Sequence, residues 1–272
     1  MNLLLPFALL ALGLGYGDIQ VGRFERDAAK EIASQLGGDN KTVRVDARPD
    51  GLGLAWGRVE SATIEAKDFS LTQLPFFTEP ERSKAGWLGN LTISLKEFDL
   101  RGLRIAELRA EIPDSRYDLG LARRERVFRL SKSGEGTGWV KVREDDLADY
   151  IVRKYAEVKS CTVRIDRDVV WVEGYGEFLI VKSNFTIIAK LVPEEGTRLV
   201  LTDAKVYFNW VRAEPETAKV LLDLLNPVVD LHTELGLFDA IYVTDVRLRD
   251  GFVLASGRTR VPIRPAPADN PG

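Results

Sequence analysis

Residues able to perform nucleophilic or metal chemistry are scarce in this chain. It contains one cysteine, Cys161, and one histidine, His232. A Ser-His-Asp or Cys-His arrangement would have to use His232, which follows the apolar, proline-interrupted stretch Leu224–Leu231. One cysteine forms no intramolecular disulfide, and these two residues supply only two of the four ligands of a structural zinc site. We therefore expect no metal and no cofactor, and we expect His232 to be non-catalytic.

Paired carboxylates offer the next kind of chemistry. Asp145 and Asp146 are adjacent, and neighbours on a helix point about 100° apart, so this pair indicates an acidic helix start. Asp223 and Asp230 flank Asn226-Pro227 and could face each other, which leaves open a metal site or an acid–base pair. The sequence contains no GxGxxG, GxxxxGK[ST], HExxH or GxSxG motif. The common nucleotide, zinc-protease and serine-hydrolase classes thus lack their usual motifs here.

Composition and charge restrict the partners. The 272 residues are 45% hydrophobic and 29% charged, which is typical of a globular protein. The net charge is −3, from 38 basic and 41 acidic residues without a long run of one sign. Binding to a polyanion needs a broad positive field, so nucleic acid is not expected as a partner.

The two ends of the chain differ from its middle. Residues 1–17 begin with an apolar stretch of about a dozen residues, the length of a signal-peptide core and too short for a transmembrane helix. They are interpreted as a signal peptide, with a buried helix or strand as the alternative. Residues 18–261 are expected to form one domain, and the proline-rich residues 262–272 a disordered tail.

Hydrophobic periodicity predicts the elements that position the remaining residues. Apolar residues at helical spacing predict helices over residues 19–36, at about 144–158 and from Pro215 to Asn226-Pro227. Alternating segments predict strands, which in the first half are expected to be antiparallel and in the second half reach about 14 residues. Asp250-Gly251 predicts a type I′ hairpin turn. These elements indicate an α+β fold.

Three strand segments are apolar on both faces: Val169–Val172, Phe178–Val181 and Phe185–Ile188. Such strands are usually buried on both faces. One face can pack on the helices, while the other closes a second layer or lines a hydrocarbon tunnel. The sequence alone leaves the filled and the hollow core open, although a solid core is the commoner outcome.

The order of segments resembles the LmeA-like phospholipid-binding family. The resemblance covers residues 142–258 and lies in these segments: Val142–Ile151, the strands around Val163 and Val169, Gly196–Ala204, Asn226–Leu231, Ile241–Val246 and Asp250-Gly251. In the first half it is one of arrangement, with Gly53–Val59 leading into a long strand. The resemblance implies a protein of the bacterial cell envelope that binds phospholipid and has no catalytic residues. It also implies a tubular lipid-binding fold, a long curved antiparallel sheet wrapped around helices.

On this hypothesis an apolar cleft holds one or two acyl chains of a phospholipid or another lipid. The residues expected to line it are Trp171, Phe178, Ile180, Leu221, Leu225 and Val228. Phe76, Phe77 and Trp87 lie in a segment without helical or strand period, and are expected to form a lip that touches the membrane surface. Two alternatives stay open: a solid-core interaction protein of the envelope, and a glycolipid-processing enzyme that uses Asp223 or Asp230.

Overall fold

Four α-helices, one 3-10 helix (Gly51–Trp56) and fourteen strands form in the part of the chain that the computed structural model describes, residues 22–23, 25–125, 127–178 and 182–263. The helices are α1 (residues 25–35), α2 (Leu119–Glu125), α3 (Glu144–Lys154) and α4 (Pro215–Leu225). The strands are β1 (Thr42–Pro49), β2 (Arg58–Leu71), β3 (Gly86–Leu100), β4 (Leu103–Tyr117), β5 (Leu130–Lys132), β6 (Gly136–Arg143), β7 (Val158–Asp166), β8 (Val169–Glu177), β9 (Lys182–Glu194), β10 (Arg198–Phe208), β11 (Val211–Arg212), β12 (Val229–Asp230), β13 (Ile241–Arg249) and β14 (Phe252–Thr259). The predicted α+β class is therefore confirmed.

The strands form two sheets. In the first sheet the order is β1-β2-β3-β4-β6-β14-β13, with β5 beside β4. In the second it is β11-β10-β9-β8-β7, with β12 also beside β10. β13 contacts β7 and β9, and the Val243 N–H donates to the Gly196 carbonyl over 2.7 Å. The chain therefore returns from the second sheet to complete the first.

The prediction of purely antiparallel strands in the first half was wrong. β2 and β3 pair in parallel along most of their length, from Arg58 opposite Trp87 to Leu71 opposite Leu100. Parallel neighbours need a connection that carries the chain back to the same end of the sheet. Residues 72–85 provide that crossover. They lack a helical or strand period because they connect the two strands and belong to neither.

Helix α3 holds the two sheets together. It contacts β7 of the second sheet and β4 and β6 of the first, and it buries Leu147, Ala148, Tyr150 and Ile151. Its first turn is acidic and its last turn is basic, as predicted, which suits the helix dipole. Buried residues from both sheets, α3 and α4 form one large apolar cluster. A smaller cluster lies on the first sheet around Leu88, Ile112 and Tyr117.

Several boundaries differ from the predicted ones. Helix α4 ends at Leu225, as expected, and the short strand β12, which pairs with β10, follows it. Asp250 and Gly251 have φ of 50° and 77°, which confirms the type I′ turn. Pro262 is held in place, because its carbonyl accepts the Thr78 N–H, so the ordered chain continues past residue 261. Residues 1–17 and 264–272 lie outside the described residues.

Candidate apolar site

An apolar cavity lies between α3, α4 and the inner face of the second sheet. The helices contribute Leu147, Ile151 and Leu225, together with Tyr155, which directly follows α3. Val228 and five residues of the second sheet complete the lining: Val170, Val172, Phe185, Leu191 and Leu201. The Tyr155 hydroxyl is the one polar side-chain group among these lining residues. The cavity is therefore suited to a hydrocarbon.

The cavity is small in this conformation, with a volume of about 20 Å³. Space of this kind must reach roughly 10–15 Å³ to hold one water molecule, whereas pockets for small molecules measure roughly 300–1,000 Å³. An acyl chain can therefore enter only if one of the walls moves.

Helix α4 is the wall with the narrowest attachment. Pro215 occupies its first turn, where the missing N–H is not needed, and its apolar residues recur on one face. It buries only Leu221 and Leu225, whereas α3 buries residues against both sheets. Its contacts with other elements are mainly with β10. Displacing α4 therefore exposes few buried apolar side chains, and its other attachments lie at its C-terminal end.

A polar cluster fixes the segment that follows α4. The Lys154 ammonium donates to the carbonyls of Pro227 (2.6 Å) and Val228 (3.1 Å) and to Oε2 of Glu234 (2.8 Å). The Tyr155 hydroxyl lies 2.7 Å from the Leu225 carbonyl. All these bonds hold the C-terminal end of α4 against the end of α3, so we call this group the latch.

Tyr150 and Tyr155 stay protonated at neutral pH. Burial raises the pKa of both Tyr150 and Tyr155 well above its usual range, and the nearby Glu234 carboxylate raises it further. The Tyr150 hydroxyl donates to that carboxylate over 3.1 Å. Both hydroxyls therefore remain hydrogen-bond donors through the physiological range.

The structure brings two of the predicted lining residues to the cavity and places a third beside it. Leu225 and Val228 line the cavity, and Leu221 is fully buried in the core one helical turn before Leu225. Phe178 is buried behind the lining, with its ring 5.7 Å from that of Phe185. Ile180 lies outside the described residues.

Trp171 does not line the cavity. Its neighbours on β8, Val170 and Val172, both do, and successive side chains of a strand point to opposite faces. The half-buried indole therefore lies on the outer face of the second sheet. Because the strand is apolar on both faces, its sequence does not show which face lines the cavity. The helices cover the face of Val170 and Val172, so these two residues line it and Trp171 does not.

The three expected lip residues have partners within the chain. Phe76 packs half-buried on the smaller cluster, and Phe77 lies with its ring 6.3 Å from that of Phe238. Trp87 belongs to β3, where its indole N–H donates to Asp114 over 2.9 Å and its ring lies under the Arg58 guanidinium. Phe76 and Trp87 therefore pack on the first sheet, whereas Phe77 packs beside the segment that precedes β13.

The candidate acids bind separate partners. Asp223 is exposed on α4 and pairs with Lys219. Asp230 accepts the N–H groups of His232 and Thr233, at 2.9 and 2.8 Å. These hydrogen bonds and Arg198 act against burial and hold the pKa of Asp230 below its usual range. Within the described ranges, no group of acidic, histidine or cysteine side chains is arranged to hold a metal ion.

Comparison with known protein families, curated proteins and solved structures finds no match to this chain. Among the residues that the structure describes, no helix has the length and apolar character needed to cross a membrane.

Proposed function

We propose that this protein binds an acyl-chain lipid between α3 and the second sheet, with α4 as the movable wall. The observation that carries the proposal is the cavity beneath α4, whose lining has a single polar side-chain group. The resemblance of residues 142–258 to the LmeA-like family supports a phospholipid as ligand and the bacterial cell envelope as location. Two sheets around α3 are compatible with a tubular lipid-binding fold, which we include in the proposal.

A long acyl chain can offset the apolar cost of displacing α4. Exposing Leu221 and Leu225 costs about 3–6 kcal/mol, since burying one leucine side chain contributes about 1.5–3 kcal/mol. An acyl chain that buries ten methylene groups gains about 8 kcal/mol at roughly 0.8 kcal/mol each. The gain exceeds the apolar part of this cost, and only a ligand with a long hydrocarbon chain can also offset the latch hydrogen bonds that opening breaks.

Mass spectrometry on purified protein tests the proposal. We expect native spectra to contain a stoichiometric adduct and denaturing spectra to release a phospholipid. Val172→Leu adds one methylene group to a cavity of about 20 Å³ and is expected to reduce the lipid-bound fraction. Val163→Leu is the matched control, because Val163 is buried opposite Val172 on β7 and does not line the cavity.

A clean unliganded mass that stays unchanged after incubation with liposomes would reject lipid binding. The second candidate, an interaction protein with a solid core, would then be preferred. The small volume of the closed cavity favours that candidate, because it approaches the packing of an ordinary protein interior. A protein partner recovered by crosslinking in the native host would support it.

A further inference from the structure

The turn between β10 and β11 presents a large aromatic side chain in an unfavourable backbone conformation. Asn209 and Trp210 have φ of 47° and 68°, the conformation of a type I′ turn, whose second position normally holds glycine. Trp210 is 76% exposed and Val211 is 71% exposed. The indole of Trp210 makes no aromatic or cation–π contact with the described part of the chain. The positive φ of Trp210 and the exposure of its indole are both unfavourable, so the ring is positioned for a partner outside the chain.

Helix α4 follows this turn in the chain and carries further exposed apolar side chains. It runs along the outer edge of β10 from β11 to β12, and its Val220 and Leu224 are exposed, at 52% and 36%. These two residues lie on the flank beside the buried Leu221 and Leu225, so the apolar face of the helix is wider than the seam it buries. We call Trp210, Val211, Val220 and Leu224 the α4 edge.

The charges of the hairpin are complementary to an anionic surface. Residues 204–213 contain Lys205 and Arg212 and no acidic residue. Both cations are exposed, and neither forms an ion pair with the described residues. Glu214 and Glu216, which follow, lie at the start of α4, where acidic residues suit the helix dipole. An exposed tryptophan beside cations is typical of segments that enter the headgroup region of a bilayer.

We propose that the α4 edge is the surface with which this protein docks on a lipid bilayer that contains anionic headgroups. This inference rests on the proposed function and adds a route for loading. The docked flank and the buried seam belong to one helix, so immersing Val220 and Leu224 brings Leu221 and Leu225 to an apolar medium. Docking thereby lowers the cost of opening the cavity.

Flotation of the full chain with vesicles of phosphatidylcholine and phosphatidylglycerol tests the docking surface, using Trp210→Gly. Glycine suits the second position of a type I′ turn, so this variant removes the ring without weakening the hairpin. We expect vesicle binding to fall about tenfold to a hundredfold, as the loss of one buried aromatic side chain implies. Binding to phosphatidylcholine alone should be weaker for the wild type.

Trp56→Ser is the matched control, because Trp56 is equally exposed, at 77%, but precedes β2 of the first sheet. We expect its vesicle binding to change less than about twofold. Equal losses in both variants, or wild-type binding by Trp210→Gly, would overturn the proposal. A change of oligomeric state in Trp210→Gly, with no vesicle binding by the wild type, would also overturn it and assign the edge to a second copy of the chain.

Capture of detergent-solubilised phospholipid, followed by native mass spectrometry, separates the two proposals. Trp210→Gly should capture lipid like the wild type, whereas Val172→Leu should dock on vesicles and capture less. Docking without capture by the wild type would reject the lipid site and leave the docking surface. Lipid capture by the wild type, together with normal vesicle docking by Trp210→Gly, would reject the docking surface and leave the lipid site.

Discussion

Lys154 is the residue on which the latch depends. Its ammonium uses its three N–H groups on the Pro227 and Val228 carbonyls and the Glu234 carboxylate, and its side chain is only 15% exposed. Lys154→Met leaves these acceptors without their donor. We expect the free energy of unfolding to fall by about 2–3 kcal/mol, less than for a fully buried pair because Glu234 is partly exposed. Urea unfolding followed by tryptophan fluorescence measures the loss.

Lys219→Met provides the control for this prediction. Lys219 pairs with Asp223 on the outer face of α4, with both side chains more than half exposed, at 74% and 63%. Such surface pairs contribute little, so a change within about 0.5 kcal/mol is expected. Equal effects of the two substitutions would show that the latch does not hold α4.

The reactivity of the Cys161 thiol reports how well the second sheet shields it from water. Desolvation raises the pKa of its thiol from 9.0 to about 12. At pH 8 the reactive thiolate is then about a thousandfold scarcer than in the unfolded chain, so modification by Ellman's reagent should be slower by a similar factor. Native and urea-unfolded rates that agree within tenfold would contradict this prediction.

The same thiol gives a pH dependence of stability. The folded state keeps the proton to higher pH than the unfolded state, so the contribution of this thiol is fully present below pH 9. It is lost as the pH rises from 9 to about 12. Cys161→Val should flatten the stability profile in that window, as chemical denaturation at a series of alkaline pH values will show.

At the scale of elements, Asn226 joins α4 to the outer edge of β10. Its side-chain amide accepts the Leu201 N–H over 2.8 Å and donates to the Leu201 carbonyl over 3.1 Å, in place of a neighbouring strand. Asn226→Ala leaves both backbone groups unpaired and is expected to cost about 2 kcal/mol of stability. Thermal and urea unfolding measure this change.

Asn90→Ala serves for comparison, because Asn90 is half-buried and its amide donates to the Thr92 hydroxyl on the same strand. A loss below about 1 kcal/mol is expected there. If Asn226→Ala proves no more harmful than Asn90→Ala, then the β10 edge does not depend on Asn226.

The elements that could be predicted are those specified by neighbouring residues. The acidic first turn and basic last turn of α3, the proline that starts α4 and the Asp250-Gly251 turn act over a few residues, and all three elements were predicted from them. The parallel pairing of β2 with β3 could not be predicted in this way. Alternation of side chains is the same in parallel and antiparallel strands, and only the return path of residues 72–85 distinguishes them.

At the scale of the whole molecule, the two sheets share one core. The main apolar cluster contains residues of both sheets, with Leu147 of α3, 4% exposed, among them. We therefore expect a single unfolding transition with coincident far-ultraviolet circular dichroism and tryptophan fluorescence. Leu147→Ala should lower both midpoints together, by about 2–5 kcal/mol in stability. Two separate transitions would show that the sheets fold independently.

The sequence by itself determined the α+β class, the positions of α3 and α4 and the apolar character of the second sheet, because periodicity, caps and turns act locally. It also indicated Leu225 and Val228 as lining residues, since both are apolar and flank the end of α4. Only the tertiary structure decided that Val170 and Val172 face the cavity while Trp171 faces outward, and that Trp210 is largely exposed while Phe76 and Phe77 are half-buried. Which face of a strand is covered depends on elements distant in the chain, and no local pattern contains that information.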